Sequence, residues 1–122
     1  MPKNDYHVIA CYILSYLYMC LKEAKTPEEE YLGLLRYPAE IPESYKEYIY
    51  VHLEEAGYMT GLLCGNISAL QRAKQPIPRS YKDAQITPKG IDYLMNDTSM
   101  EKVWQNVKDV GGLLFSMISA VR

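Results

Sequence analysis

Two histidines, three cysteines and a run of three glutamates are the residues of this 122-residue chain that could hold a metal or move a proton. His7 and Cys11 stand four apart, on one face of a helix, but no second pair of ligands accompanies them. Cys11 and Cys20, nine positions apart, fall on opposite sides of the same helix. Cys64 lies in a predicted strand, so the three thiols share no metal. An odd cysteine count without framework spacing also argues against a secreted disulfide scaffold. His52 falls beside the buried stripe of a helix, where packing or a nearby carboxylate accounts for it. Glu28-Glu29-Glu30 fit the first turn of a helix, where carboxylates oppose the macrodipole, better than a cation site. There is no phosphate-binding glycine loop, nucleophile elbow or metal-ligand cluster. The sequence predicts no catalytic residue, no metal and no cofactor, and therefore a non-enzymatic protein.

The elements that carry these residues are legible from caps and periodicity. Asn4 or Asp5 can cap a first helix to about Ala24, apolar nearly all round through Val8, Ile9, Ile13, Leu14, Leu17 and Leu21. Its apolar run, Val8 to Leu21, is 14 residues, and a bilayer needs about 20, so the run reads as core and not as a membrane span. Thr26 (N-cap), Pro27 (N1) and Glu29 (capping box) predict a second helix that fails before Pro38. Ile41-Pro42 opens a third, with a stripe of Tyr45, Ile49, Leu53 and Ala56 stopped by Gly57. Strands follow at Tyr58–Cys64 and Ala84–Ile86, joined by a long segment containing Pro76 and Pro78. Thr87 and Pro88 start a fourth helix, and Thr98 with Glu101 launches a terminal one. The expected helices are 5–24, 28–36, 42–56, 88–96 and 99–121.

Helix, two-stranded wing, helix is the back half of a winged helix-turn-helix. The fold class expected is mainly α with a small antiparallel β-hairpin (α+β), in one domain: a winged-helix core over 1–97 and an added C-terminal helix over 98–122. The chain resembles the YjcQ-like winged-helix family, small proteins common in phages and mobile elements of low-GC Gram-positive bacteria. The resemblance is carried by Tyr12-Ile13-Leu14-Ser15-Tyr16-Leu17-Tyr18, by Leu53 to Gly61, by Ile86 to Leu94 with Asn96, and by the Lys/Val-rich terminal helix. It implies a winged-helix fold and a DNA-binding, transcription-regulating role, and it supplies no catalytic residues.

Charge tests that implication. The net charge of −2 gives no global pull toward a polyanion. Residues 26–55 hold two cations against eight acids, whereas residues 56–82 hold four cations and no acid. The helix expected in the major groove thus has Lys46 as its only cation, and the wing carries Arg72, Lys74, Arg79 and Lys82. One expectation is a DNA-binding regulator with the wing gripping double-stranded DNA and Lys46 and Tyr50 near the bases. The alternative is a winged-helix protein–protein interaction module without DNA binding, which twelve tyrosines favour. Val103, Val107, Val110, Leu114, Met117 and Val121 form a heptad seam, about two and a half heptads long. With Trp104, Leu113, Phe115 and Ile118 beside it, and a first helix apolar nearly all round, that seam predicts a homodimer through the terminal helix; the alternative is that the terminal helix folds back on the first within one chain. The expected location is cytoplasmic, with no membrane partner.

Overall fold

The computed structural model describes residues 4–62 and 81–105. It is mainly helical with a two-stranded antiparallel sheet, an α+β fold. Helix α1 spans Tyr6–Glu23. Asp5 caps it from an extended conformation, accepting the His7 N–H at 3.0 Å, and Ala24 closes it in the left-handed region at φ 55°. Every residue from Val8 to Leu17 is buried. The cover comes from one chain: α2 (Glu29–Leu32), α3 (Glu43–Glu55), strand β2 (Gln85–Ile86), α4 (Pro88–Asn96) and α5 (Thr98–Gln105) all pack on α1. A helix with no polar face is stable only at the centre of such an arrangement.

Helix α2 is shorter than its sequence signals, and its cap lies elsewhere. Thr26 and Pro27 precede it; Glu28 is the N-cap, in extended conformation and without a side-chain cap bond. The reason is tertiary. The Glu28 N–H donates to Tyr16 Oη at 2.8 Å, so a tyrosine of α1 satisfies the group that a capping side chain would have taken. The helix stops at Leu32, six residues before Pro38, because Leu34 turns left-handed (φ 64°) and buries its side chain. A non-glycine residue in that region costs about 1–2 kcal/mol, which burial of a leucine offsets.

Helix α3 ends in a Schellman motif. Gly57 takes φ +81°, the Gly57 N–H bonds Glu54 O at 3.0 Å and the Tyr58 N–H bonds Leu53 O at 3.0 Å. The chain then enters β1 (Met59–Thr60), which pairs antiparallel with β2 in the register Met59↔Ile86 and Thr60↔Gln85. Met59 and Ile86 point into the core while Thr60 and Gln85 are exposed, the period-two alternation of a half-buried hairpin. The strand expected to run to Cys64 stops at Thr60, because Gly61 turns to φ +92° and it and Leu62 form a bend; Leu63 and Cys64 lie outside the described residues. A short 3-10 turn, Tyr81–Asp83, leads into β2.

Thr87 caps α4 by accepting the Gly90 N–H at 3.0 Å, and its hydroxyl also donates to Gly57 O, tying the start of α4 to the end of α3. Asp97, not Thr98, caps α5: its carboxylate accepts the Ser99 N–H at 2.8 Å and its carbonyl the Glu101 N–H at 2.9 Å. The same residue ends α4, so one aspartate serves two helices back to back. Val103 is fully buried with Met100 against α1, so the first residue of the heptad seam belongs to the chain's own core and not to a dimer face. Val107, Val110, Leu114, Met117 and Val121 lie outside the described residues. From Val8 to Leu17 α1 is covered within one chain, while Leu21 near its end is exposed.

Candidate interaction surface

Several of the described residues with catalytic potential have structural partners, and Cys64 lies outside the described residues. His7 is half-buried with Nδ1 3.2 Å from Tyr93 Oη, and Cys11 is buried with Sγ 3.8 Å from Ser15 Oγ. Cys20 is buried too, and burial pushes its thiol pKa up; a neutral thiol is a poor nucleophile. Glu30 pairs with Arg36 at 2.9 Å. Among the described residues no three His, Cys, Asp or Glu side chains gather where they could hold a metal ion, and no helix is long and apolar enough to cross a membrane.

Of the residues expected to touch DNA, Lys46, Tyr50 and Lys82 are among the described ones. Tyr50 is fully buried, and its hydroxyl donates to Leu32 O at 2.7 Å, so it cannot reach a base. It follows Ile49 and precedes Leu53, and the three form the buried stripe of α3; the sequence stripe of every third or fourth residue left Tyr50 out because a helix face about 100° wide takes in a third flank. Lys46 sits on that inner side as well, with its side chain only 14% exposed and its ammonium 3.7 Å from Glu43. Lys82 is exposed on the 3-10 turn. Arg72, Lys74 and Arg79 lie outside the described residues.

What α3 presents to solvent is different. Glu43, Ser44, Tyr48, His52 and Glu55 are its exposed residues, so the surface of the helix is acidic and aromatic. Tyr48 is 57% exposed. Its ring lies 4.2 Å from the His52 ring, one helical turn on, and meets Tyr6 edge-to-face at 6.3 Å. The His52 Nδ1 is 4.0 Å from Glu55, the carboxylate partner its position anticipated. The aromatic run continues across α1 onto α4. Tyr6 packs edge-on against His7, His7 meets Tyr93, and Tyr93 stacks flat on Tyr58 at 4.2 Å and 4°. Burial, then the nearby Tyr48, raises the Tyr6 pKa, and burial raises that of Tyr93, so both phenols stay neutral at physiological pH. Spacing alone could have found Tyr48 and His52, which are four residues apart on one face. The meeting of His7 and Tyr93, 86 positions apart, had no local signal.

These features define the class: a mainly helical α+β domain, built around one buried helix, with an acidic and aromatic third helix on its surface. The sequence model of the YjcQ protein family matches residues 11–112, and the chain belongs to that family. No curated protein and no solved structure matches it.

Proposed function

We propose that this chain is a non-enzymatic winged-helix protein whose third helix docks a protein partner and does not read DNA. The order of elements, three helices followed by two short strands and a helix, supports the winged-helix assignment. The observation that carries the docking reading is the solvent face of α3. The helix has four glutamates and one lysine, and that lysine is turned inward and paired with Glu43. A recognition helix of this kind repels phosphates and offers no cation to guanine, whereas tyrosine-rich faces suit protein contacts.

A second reading is favoured by one observation, the four cations and absence of acids over residues 56–82: the wing alone could clamp a DNA backbone through Arg72, Lys74, Arg79 and Lys82. Pairing of two copies through Val107, Val110, Leu114, Met117 and Val121 belongs with that reading, because it would place two wings on one duplex. Fluorescence anisotropy with a mixed-sequence duplex at low and moderate salt separates the readings. Docking without DNA predicts negligible binding at moderate salt. Clamping by four phosphate contacts predicts a log–log salt slope of about −3.6, flattened when the four cations become alanine. Duplex binding abolished by Ser44→Ala with Tyr48→Ala would sink the docking reading. In sedimentation, a 14.0 kDa species at micromolar concentration would end the dimer.

A further inference from the structure

A cleft of about 360 Å³ lies between the last turn of α1, the Thr26-Pro27 connection and the approach to β2. We infer that it binds a short aliphatic monocarboxylate, with the tail on its apolar floor and the carboxylate at its rim. The floor is made by Leu17, Cys20 and Ala84, all buried, and Leu21 stands beside them 50% exposed. A tail laid there takes apolar area of both partners out of water.

The rim is cationic. Lys25 and Lys82 border the cleft, and among the described residues no acidic side chain does. Lys82, exposed on the 3-10 turn, joins no ion pair among the described residues. Lys25 makes an exposed pair with Glu23 at 3.6 Å, and a pair of that kind is weak enough to yield to a second carboxylate. The carbonyls of Cys20 and Leu21, which would repel an anion at this end of α1, accept the backbone N–H groups of Ala24 and Lys25. The neighbouring groove beyond Thr26 and Pro27 shares Lys82 but is bordered by Glu28, Glu29 and Glu30, so the carboxylate belongs on the α1 side. An amine would face two ammonium groups, and an anion without a tail would leave the floor wet. Ligand pockets run from about 300 to 1,000 Å³, and this cleft, at the small end, suits a chain of a few carbons.

The test is a heteronuclear NMR titration of the full chain with acetate, butyrate and hexanoate. Hexanol, hexylamine and inorganic phosphate serve as controls. Saturable shifts are expected at Leu21, Lys25 and Lys82, with affinity rising about two- to fourfold per added methylene. Hexanol should bind more weakly than hexanoate, and hexylamine and phosphate not at all. Leu21→Asn should flatten the dependence on chain length. Lys25→Gln and Lys82→Gln should each weaken hexanoate about two- to fivefold and leave that dependence in place. All three positions are exposed, so the fold tolerates the changes. Affinity independent of chain length, hexanol or phosphate binding as tightly as hexanoate, or unchanged affinity in all three variants overturns the assignment. Shifts confined to other surfaces, or silence from every ligand, overturn it too. The site uses no residue of α3, so neither result bears on the docking reading.

Discussion

Twelve tyrosines to one phenylalanine leave this core with an unusual number of hydroxyls to satisfy. Two of the four buried among the described residues bond to backbone: Tyr50 Oη donates to Leu32 O at 2.7 Å, and Tyr16 Oη accepts the Glu28 N–H at 2.8 Å. Tyr12 differs. Its ring is fully buried, edge-to-face with Tyr37 at 5.0 Å, and its hydroxyl has no hydrogen-bond partner among the described residues. Two substitutions that each delete one oxygen should therefore differ. Tyr50→Phe strips a bond from a buried carbonyl and is expected to cost about 1–3 kcal/mol, whereas Tyr12→Phe removes an unsatisfied group and should be neutral or stabilising. Urea unfolding of both variants decides this. Equal losses would mean that the Tyr12 hydroxyl is bonded after all.

Gly57 and Gly90 separate two ways in which an element can depend on glycine. A Cβ on Gly57 would find space, its nearest neighbour being Lys89 Cδ at 3.6 Å, so the cost of substitution there is the backbone angle of +81°. A Cβ on Gly90 would meet Tyr58 O at 2.0 Å and force α4 away from the end of α3. Gly57→Val is expected to lose about 1 kcal/mol or more, read from the thermal midpoint. Gly90→Ala should lose more than Gly57→Ala; the reverse order would show that α4 yields easily. Local signals read well here. Asp5, Gly57 and Thr87 end or start their helices as residue type predicts, because a cap depends on atoms within four residues. The start of α2 and the left-handed Leu34 were illegible for the opposite reason, being set by Tyr16 and by burial in the core. The surface site was half legible. Local charge exposed the poverty of α3 in cations, but the inward turn of Lys46 and Tyr50 required knowing how wide a face the core would claim.

On the scale of the whole molecule, the buried phenols set an alkaline limit. Burial pushes the Tyr12 pKa up to about 12 from an ordinary 10, and burial raises Tyr16, Tyr37 and Tyr93 as well. These groups ionise more readily in the unfolded chain, so above pH 10 the unfolded state holds fewer protons and stability falls as pH rises. Their contribution is intact below pH 10 and, for Tyr12, disappears between about pH 10 and 12. Phenolate absorbance should therefore rise in two phases, the later one coinciding with loss of the helical circular dichroism. A single titration near 10 with the helices intact would contradict it. The central position of α1 also has a consequence for biosynthesis. The helix is made first, but α5, which packs on it, begins at Thr98, 75 residues after α1 ends at Glu23. At the usual pace of translation that separation lasts roughly 4 to 15 s. During that interval an apolar helix waits on the nascent chain without its full cover, and the ribosome or a chaperone must shelter what the finished molecule hides.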